Sequence, residues 1–124
     1  MDLTARLPAT LGAPRRARHM LGALVEEVDT GLLDDVRLLV NELVTNSVKH
    51  AGLDDGQLIG LSVQAASTRV RVEVSDAGPG FEPDRHAVAS DPSSGWGLLL
   101  VERLSDRWGV KRNELTCVWF EIDR

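Results

Sequence analysis

Between Leu58 and Asp76 the chain alternates between apolar and polar residues, and this alternation constrains the fold more than any other feature. "LIGLSVQA" sets Ile59, Leu61, Val63 and Ala65 against Leu58, Gly60, Ser62 and Gln64. "RVRVEVSD" sets Val70, Val72 and Val74 against Arg69, Arg71 and Glu73. A period of two is that of a strand with one buried face. Ala66-Ser67 between the two runs predicts a hairpin. Two one-sided strands in succession need a cover over their apolar face, and the rest of the chain must provide it.

Ahead of the hairpin, "LTARLP" alternates and ends at a proline, which predicts a short edge strand. Pro14 opens a helical pattern. Met20, Leu21, Leu24, Val25 and Val28 recur at helical spacing, and Gly31 is expected to close that segment. A second helix is predicted from near Leu32 to His50, with Asp34 and Asp35 in its first turn, stopping at Ala51-Gly52. Beyond the hairpin, "AGPGFEPDRHAVASDPSSGWG" has no periodicity and reads as a long loop of the kind used as a lid. "WGLLLVERLSD" predicts a third helix. "RWGVKRN" and "LTCVWFEID" predict a closing hairpin with Trp108 and Trp119 packed in the sheet. The order β-α-α-β-β-loop-α-β-β implies an α+β fold. Its expected form is a two-layer α/β sandwich, with a mixed, mostly antiparallel sheet and three helices on one face. Without a repeat or linker, 1–124 is expected to be a single domain.

Charge and cysteine use narrow the function. Nineteen acidic residues against fourteen basic ones give a net charge of -5, which argues against a nucleic-acid-binding face. No apolar run reaches the length of a membrane span, and the N-terminus lacks a signal peptide's apolar region. The one cysteine, Cys117, cannot form an internal disulfide and reads as a small buried strand residue. A cytoplasmic protein without nucleic-acid or membrane partners is the expectation.

Three stretches carry unusual chemistry. In "NELVTNSVKHAG", a turn of 100° per residue gathers Val36, Leu39, Val40, Leu43 and Ser47 on one arc facing the sheet. Glu42, Asn46 and Lys49 follow i, i+4, i+7 on the flank of that arc, with His50 between the two groups. This flank fits either a solvated hydrogen-bond ladder or one wall of a cleft. In "SDAGPGF", a valine strand ends in a turn through Asp76, Gly78, Pro79 and Gly80. Glycines there permit close backbone approach to a ligand, and Asp and Gly also end strands for purely local reasons. In "GWGLLLVERL", Gly95 and Gly97 lie just ahead of the predicted helix. That position suits either a flexible connection or a phosphate site at a helix N-terminus.

Together, and in this order, these stretches resemble the ATP-binding fold shared by gyrase, mismatch-repair proteins, heat-shock chaperones and histidine kinases, the GHKL or Bergerat fold. Glu42-Leu43-Val44-Thr45-Asn46 with Lys49-His50 looks like its N-box. Asp76-Ala77-Gly78-Pro79-Gly80 matches its D-x-G-x-G box, and Gly95-Trp96-Gly97-Leu98 its G-x-G-L box. Thr116-Cys117-Val118 is similar to the late strand whose threonine supports adenine recognition.

The resemblance implies roles for these residues. Asp76 would accept a hydrogen bond from the adenine amino group, and Thr116 would share that edge. Asn46 would ligate Mg²⁺. Lys49 and His50 would meet the phosphates or the ribose. Gly78 and Gly80 would let the loop close over the purine. Gly95, Gly97 and Leu98 with their helix would meet the phosphates, and a lid would span about 81–95. Glu42 would be the catalytic carboxylate that orients or deprotonates the attacking nucleophile.

Within the family, a short stand-alone form resembles the bacterial anti-sigma-factor serine/threonine kinases. That branch binds a sigma factor and phosphorylates a small anti-anti-sigma antagonist, using ATP. The resemblance also admits a non-catalytic nucleotide-gated module, or a histidine-kinase-type domain acting in trans. Ser93-Ser94 stand where some of these kinases carry an arginine, with Arg85 and Arg103 as replacements. Trp96 reads as a hydrophobic cap on the third helix or a lid anchor. The edge strand "LTARLP" could pair with a second chain to form a homodimer.

Overall fold

The computed structural model describes residues 1–50, 56–77 and 92–124, with the side chains of His50 and of residues 92–97 outside that description. Its elements are β1 (Asp2–Pro8), α1 (Ala13–Leu21), a 3₁₀ turn (Gly22–Leu24), α2 (Thr30–His50), β2 (Leu58–Ala65), β3 (Arg69–Asp76), α3 (Pro92–Leu104), β4 (Arg107–Arg112) and β5 (Thr116–Asp123).

The five strands form one sheet in the order β1-β2-β3-β5-β4. Every pair is antiparallel, so the sheet is not mixed as expected. The predicted face of each strand is the buried one. Ile59, Leu61 and Val63 of β2, Val70, Val72 and Val74 of β3, and Val118, Phe120 and Ile122 of β5 pack beneath the helices. β1 is an edge strand, as its terminal proline indicated. Cys117 and Trp119 alternate with these residues and so lie on the opposite face, both half-buried. Trp108 packs against the core from β4.

The helices cover one face. Val36, Leu39, Val40, Leu43 and Ser47 of α2 are all buried, as the 100° arc requires. α2 packs against α1, β3 and α3. Among the described residues, no helix is long and apolar enough to cross a membrane.

Two helix boundaries differ from the reading above. The first apolar pattern does not run to Gly31 as one helix. α1 ends at Leu21, and the Val25 N–H donates to the Gly22 carbonyl three residues back. Three residues per turn keep Leu24 beneath Leu21 and rotate Val25 outward, where it is exposed. α2 then starts at Thr30, because Asp29 caps it. The Gly31 N–H donates to the Asp29 carboxylate at 3.1 Å, and the Leu33 N–H to the Asp29 carbonyl at 2.8 Å. Gly31 is thus a first-turn residue, and Asp34 and Asp35 lie beyond the first turn.

Candidate nucleotide site

The end of β3 and the start of β5 carry two buried polar residues opposite one another. Asp76 and Thr116 are register partners, 6 % and 7 % exposed, on the helix-covered side of the sheet. Each follows an apolar alternation: Val70-Val72-Val74-Asp76 on one strand, Thr116-Val118-Phe120-Ile122 on the other. The polar pair therefore occupies the position where the next two core side chains would stand. A buried carboxylate and hydroxyl at the rim of an apolar core are tolerated only with hydrogen-bond partners, so this end of the sheet is a polar spot in an otherwise apolar layer.

The predicted flank of α2 is graded. Asn46 is buried at 8 % exposure, Glu42 is half-buried, and Lys49 is exposed near the helix end. Among the described residues, no hydrogen bond joins Glu42, Asn46 and Lys49, so the ladder that would make this stripe a simple solvated flank is not formed. His50 is the last residue of α2. α2 packs against β3 and α3, the elements that bear Asp76 and Leu98. Leu98 is buried.

The glycine motif of the third helix sits differently from the sequence reading. α3 begins at Pro92, so Gly95 and Gly97 are helical residues of its first turns, not a loop ahead of it. Proline suits the first helical position, where its missing N–H costs nothing, and that start was hidden by the serines and glycines that follow. The last residues of the lid expected over 81–95 are therefore helical. Gly78, Gly80, Arg85 and the segment 78–91 lie outside the described residues. Arg103 is exposed on α3.

Among the described residues there is no cluster of three His, Cys, Asp or Glu side chains able to hold a metal ion. The donor chemistry nevertheless fits one class of ion. A lone buried carboxamide, Asn46, suits a hard cation that takes most of its oxygens from water and phosphate, as Mg²⁺ does.

A match to the family model described as a histidine kinase-like ATPase domain spans residues 7–122. The chain belongs to the histidine kinase-like ATPase domain family. This ATPase-family domain is 31% identical over 106 residues to the anti-sigma F factor of Pasteuria penetrans, covering 77% of this chain and 71% of that protein. Over 87 residues it is 34% identical to the serine-protein kinase RsbW of Listeria monocytogenes serotype 4a, covering 60% of this chain and 55% of the kinase. The domain thus spans little more than half the length of that kinase. In fold it matches, at a TM-score of 0.75 and 23% identity, a structure of RsbU and RsbW domains from Mycobacterium tuberculosis, over 98% of this chain and 31% of that one. Family membership implies use of a nucleotide by this ATPase-family domain, and the resemblance drawn from the three motif stretches holds.

The face of the sheet away from the helices carries a cluster of ion pairs among the described residues, which periodicity did not reveal. Glu121, at 6 % exposure, stands opposite Arg71 in the β3–β5 register. Arg71 donates to it at 3.0 Å and Arg107 at 2.8 Å, and Arg69 approaches to 3.6 Å. Arg107 also pairs with Asp123, and Arg71 with Glu73 at 2.8 Å. The hydrogen bond from Arg107 holds the Glu121 carboxyl below its ordinary range, against the effect of burial and aided by Arg71. Arg71 also lies over the Trp119 ring, 4.4 Å from its centroid. On β4, Gly109 leaves room for that indole: a Cβ there would stand 2.9 Å from Nε1. Burial raises the pKa of the Cys117 thiol on the same face.

Proposed function

We propose that this domain is an ATP-dependent protein serine/threonine kinase of the anti-sigma-factor type. It transfers the γ-phosphate to a hydroxyl of a small antagonist protein, binds a sigma factor, and works in the cytoplasm as a homodimer. The observation that carries the reading is the pair of buried, register-opposed polar residues Asp76 and Thr116, beside a helix whose half-buried Glu42 forms no hydrogen bond or ion pair with another described residue. The names of the relatives, an anti-sigma F factor and a serine-protein kinase, support it.

In this mechanism the Asp76 carboxylate accepts from the adenine amino group, and the Thr116 hydroxyl shares that edge of the base. A guanine would present a carbonyl oxygen to the carboxylate, and the two acceptors would repel. Asn46 would hold Mg²⁺ through its carboxamide oxygen; when bound, the ion supplies charge neutralisation on the phosphates. Lys49, with His50 beside it in sequence, offers a cation to the same phosphates. Gly95, Gly97 and Leu98 would present the first turns of α3 to them, and Gly78 and Gly80, which lie outside the described residues, would serve the purine side as the family resemblance implies. Glu42 accepts the proton of the substrate hydroxyl as that oxygen bonds to the γ-phosphorus. The bond from phosphorus to the bridging oxygen breaks, and ADP leaves with that oxygen's charge.

The test is transfer of label from γ-labelled ATP to antagonist candidates, comparing the parent with Glu42→Gln. Transfer to serine or threonine should fall at least about a hundredfold in the variant, the scale of a lost general base, with ATP affinity unchanged. Tight ATP binding by the parent without transfer would instead identify a nucleotide-gated binding module. Acid-labile label on a partner would indicate a histidine acceptor.

A further inference from the structure

Three adjacent strands, β2, β3 and β5, meet at the rim of the sheet where Asp76 and Thr116 stand. The first of them brings a polar side chain of its own to that rim. Gln57 lies one residue before β2. The Ala9 N–H donates to its carbonyl at 3.0 Å, so the β1–β2 ladder continues one pair beyond Pro8 and Leu58. In a continued ladder the alternation continues too. Ile59 faces the core, and Gln57, two residues before it, turns its side chain to the same helix-covered face, as does the buried Ala9 opposite. The Gln57 Oε1 is buried and finds no hydrogen-bond partner among the described residues. A buried acceptor left in this way is costly, and native folds keep few of them.

The register shows what lies beside it. β2 and β3 pair with Gly60 opposite Ser75, which sets Ile59 opposite Asp76. Gln57 is thus the diagonal neighbour of Asp76 across the β2–β3 pair. Diagonal neighbours are roughly 7–8 Å apart at the backbone, within reach of a long side chain. Thr116 flanks Asp76 from the other strand. The rim therefore carries a carboxamide, a carboxylate and a hydroxyl in a row, one from each strand.

The Gln57 Oε1 and the Asp76 carboxylate are both acceptors, so neither satisfies the other. One donor with two hydrogens satisfies both. A planar primary amine is such a donor: two acceptors each about 2.9 Å from its nitrogen, and 120° apart, stand about 5 Å from one another. Side chains of diagonal neighbours on a sheet can hold that spacing. A ring bearing a carbonyl in the same place would face two acceptors instead of one.

We propose that Gln57 is a second base-reading residue: its Oε1 accepts one N–H of the adenine exocyclic amine while Asp76 accepts the other, so the pocket selects an unsubstituted amine. This rests on the nucleotide reading above and adds to it a residue outside the three motif stretches.

Isothermal titration of the full chain with ATP and with N6-methyl-ATP, in the presence of Mg²⁺, tests it. The parent should bind N6-methyl-ATP, which has a single amine hydrogen, at least about tenfold more weakly than ATP, because one buried acceptor is left unpaired. Gln57→Met keeps the shape of the side chain and removes its oxygen. That variant should bind ATP about three- to tenfold more weakly than the parent, and N6-methyl-ATP within about twofold of its own affinity for ATP. Without nucleotide it should melt no lower than the parent, since the oxygen it loses has no bond there to give up. A parent that binds no ATP overturns the nucleotide reading and this proposal with it. ATP binding with N6-methyl-ATP within twofold of it, the same discrimination in Gln57→Met as in the parent, or a clear fall in the melting temperature of that variant would each overturn this proposal alone. The comparison of the two nucleotides on the parent needs no variant to fold.

Discussion

Gly109→Ala is a one-carbon change whose cost can be worked from the outer face of the sheet. The new Cβ would lie 2.9 Å from Nε1, 3.0 Å from Cε2 and 3.1 Å from Cζ2 of Trp119. Comfortable contact needs about 3.5–4.0 Å, so the indole must retreat by roughly half an ångström or more along its edge. It cannot do so freely. Arg71 lies over its ring at 4.4 Å, and that guanidinium is held by Glu121 and Glu73. Overpacking of this kind costs about 1–3 kcal/mol. At about 2.1 cal/mol/K per residue, 124 residues give an unfolding entropy near 0.26 kcal/mol/K, so each kcal/mol moves Tm by about 4 °C. Thermal unfolding followed by far-UV circular dichroism should therefore show a fall of about 4–12 °C. In a Trp119→Leu background the same substitution should cost under about 0.5 kcal/mol, because the atoms it collides with are gone. ATP affinity at a temperature where both proteins are folded should stay within about twofold, since Asp76 and Thr116 lie on the other face. A Tm within about 1 °C of the parent, or an equal loss in the Trp119→Leu background, would refute the collision and with it the role given to Gly109.

Two further outcomes follow from the site and the ion cluster. Asp76→Asn should weaken ATP binding about ten- to a hundredfold by isothermal titration, because a hydrogen bond to a charged acceptor contributes about 1.5–3 kcal/mol; unchanged affinity would remove Asp76 from base recognition. Arg107 depresses the Glu121 and Asp123 carboxyls in the folded state, so the stability they contribute is present above the ordinary carboxylate range and lost as pH falls through and below it. Urea midpoints measured from pH 7 downward should decline across that window, and Glu121→Gln should flatten the decline; an identical slope in the variant would assign the acid sensitivity elsewhere.

Periodicity made the faces legible and left the neighbours hidden. The valines of β3 and the arc from Val36 to Ser47 lie where their spacing put them, because burial is a property each strand or helix declares alone. Which strand sits beside which is not so declared. β3 pairs with β5, across the whole of α3 and β4, and no local pattern marks this. Glu121 shows the consequence: alternation assigns it to the wet face, and only the register with Arg71 and the approach of Arg107 bury it. The start of α2 escaped for a different reason. A glycine after an apolar run reads as a stop, and at Gly31 it is a first-turn residue whose N–H meets a capping carboxylate. The candidate site was legible as residue types through a family resemblance. What the fold adds is the opposition of Asp76 and Thr116, which depends on pairing between strands far apart in sequence.

That opposition also bears on how the domain folds and varies. Residues 77–115 form the loop that must close before Asp76 can meet Thr116, and the segment following Gly78 lies within it. Closing such a loop costs an entropy that rises only with the logarithm of its length, about 0.6 kcal/mol for each doubling. Residues can therefore be added to or removed from the sequence between β3 and α3 at small cost to stability, while Asp76 and Thr116 stay fixed opposite one another by their ladder. Evolution is thus free to lengthen or shorten the connection after β3 without disturbing the strand pairing that sets Asp76 opposite Thr116.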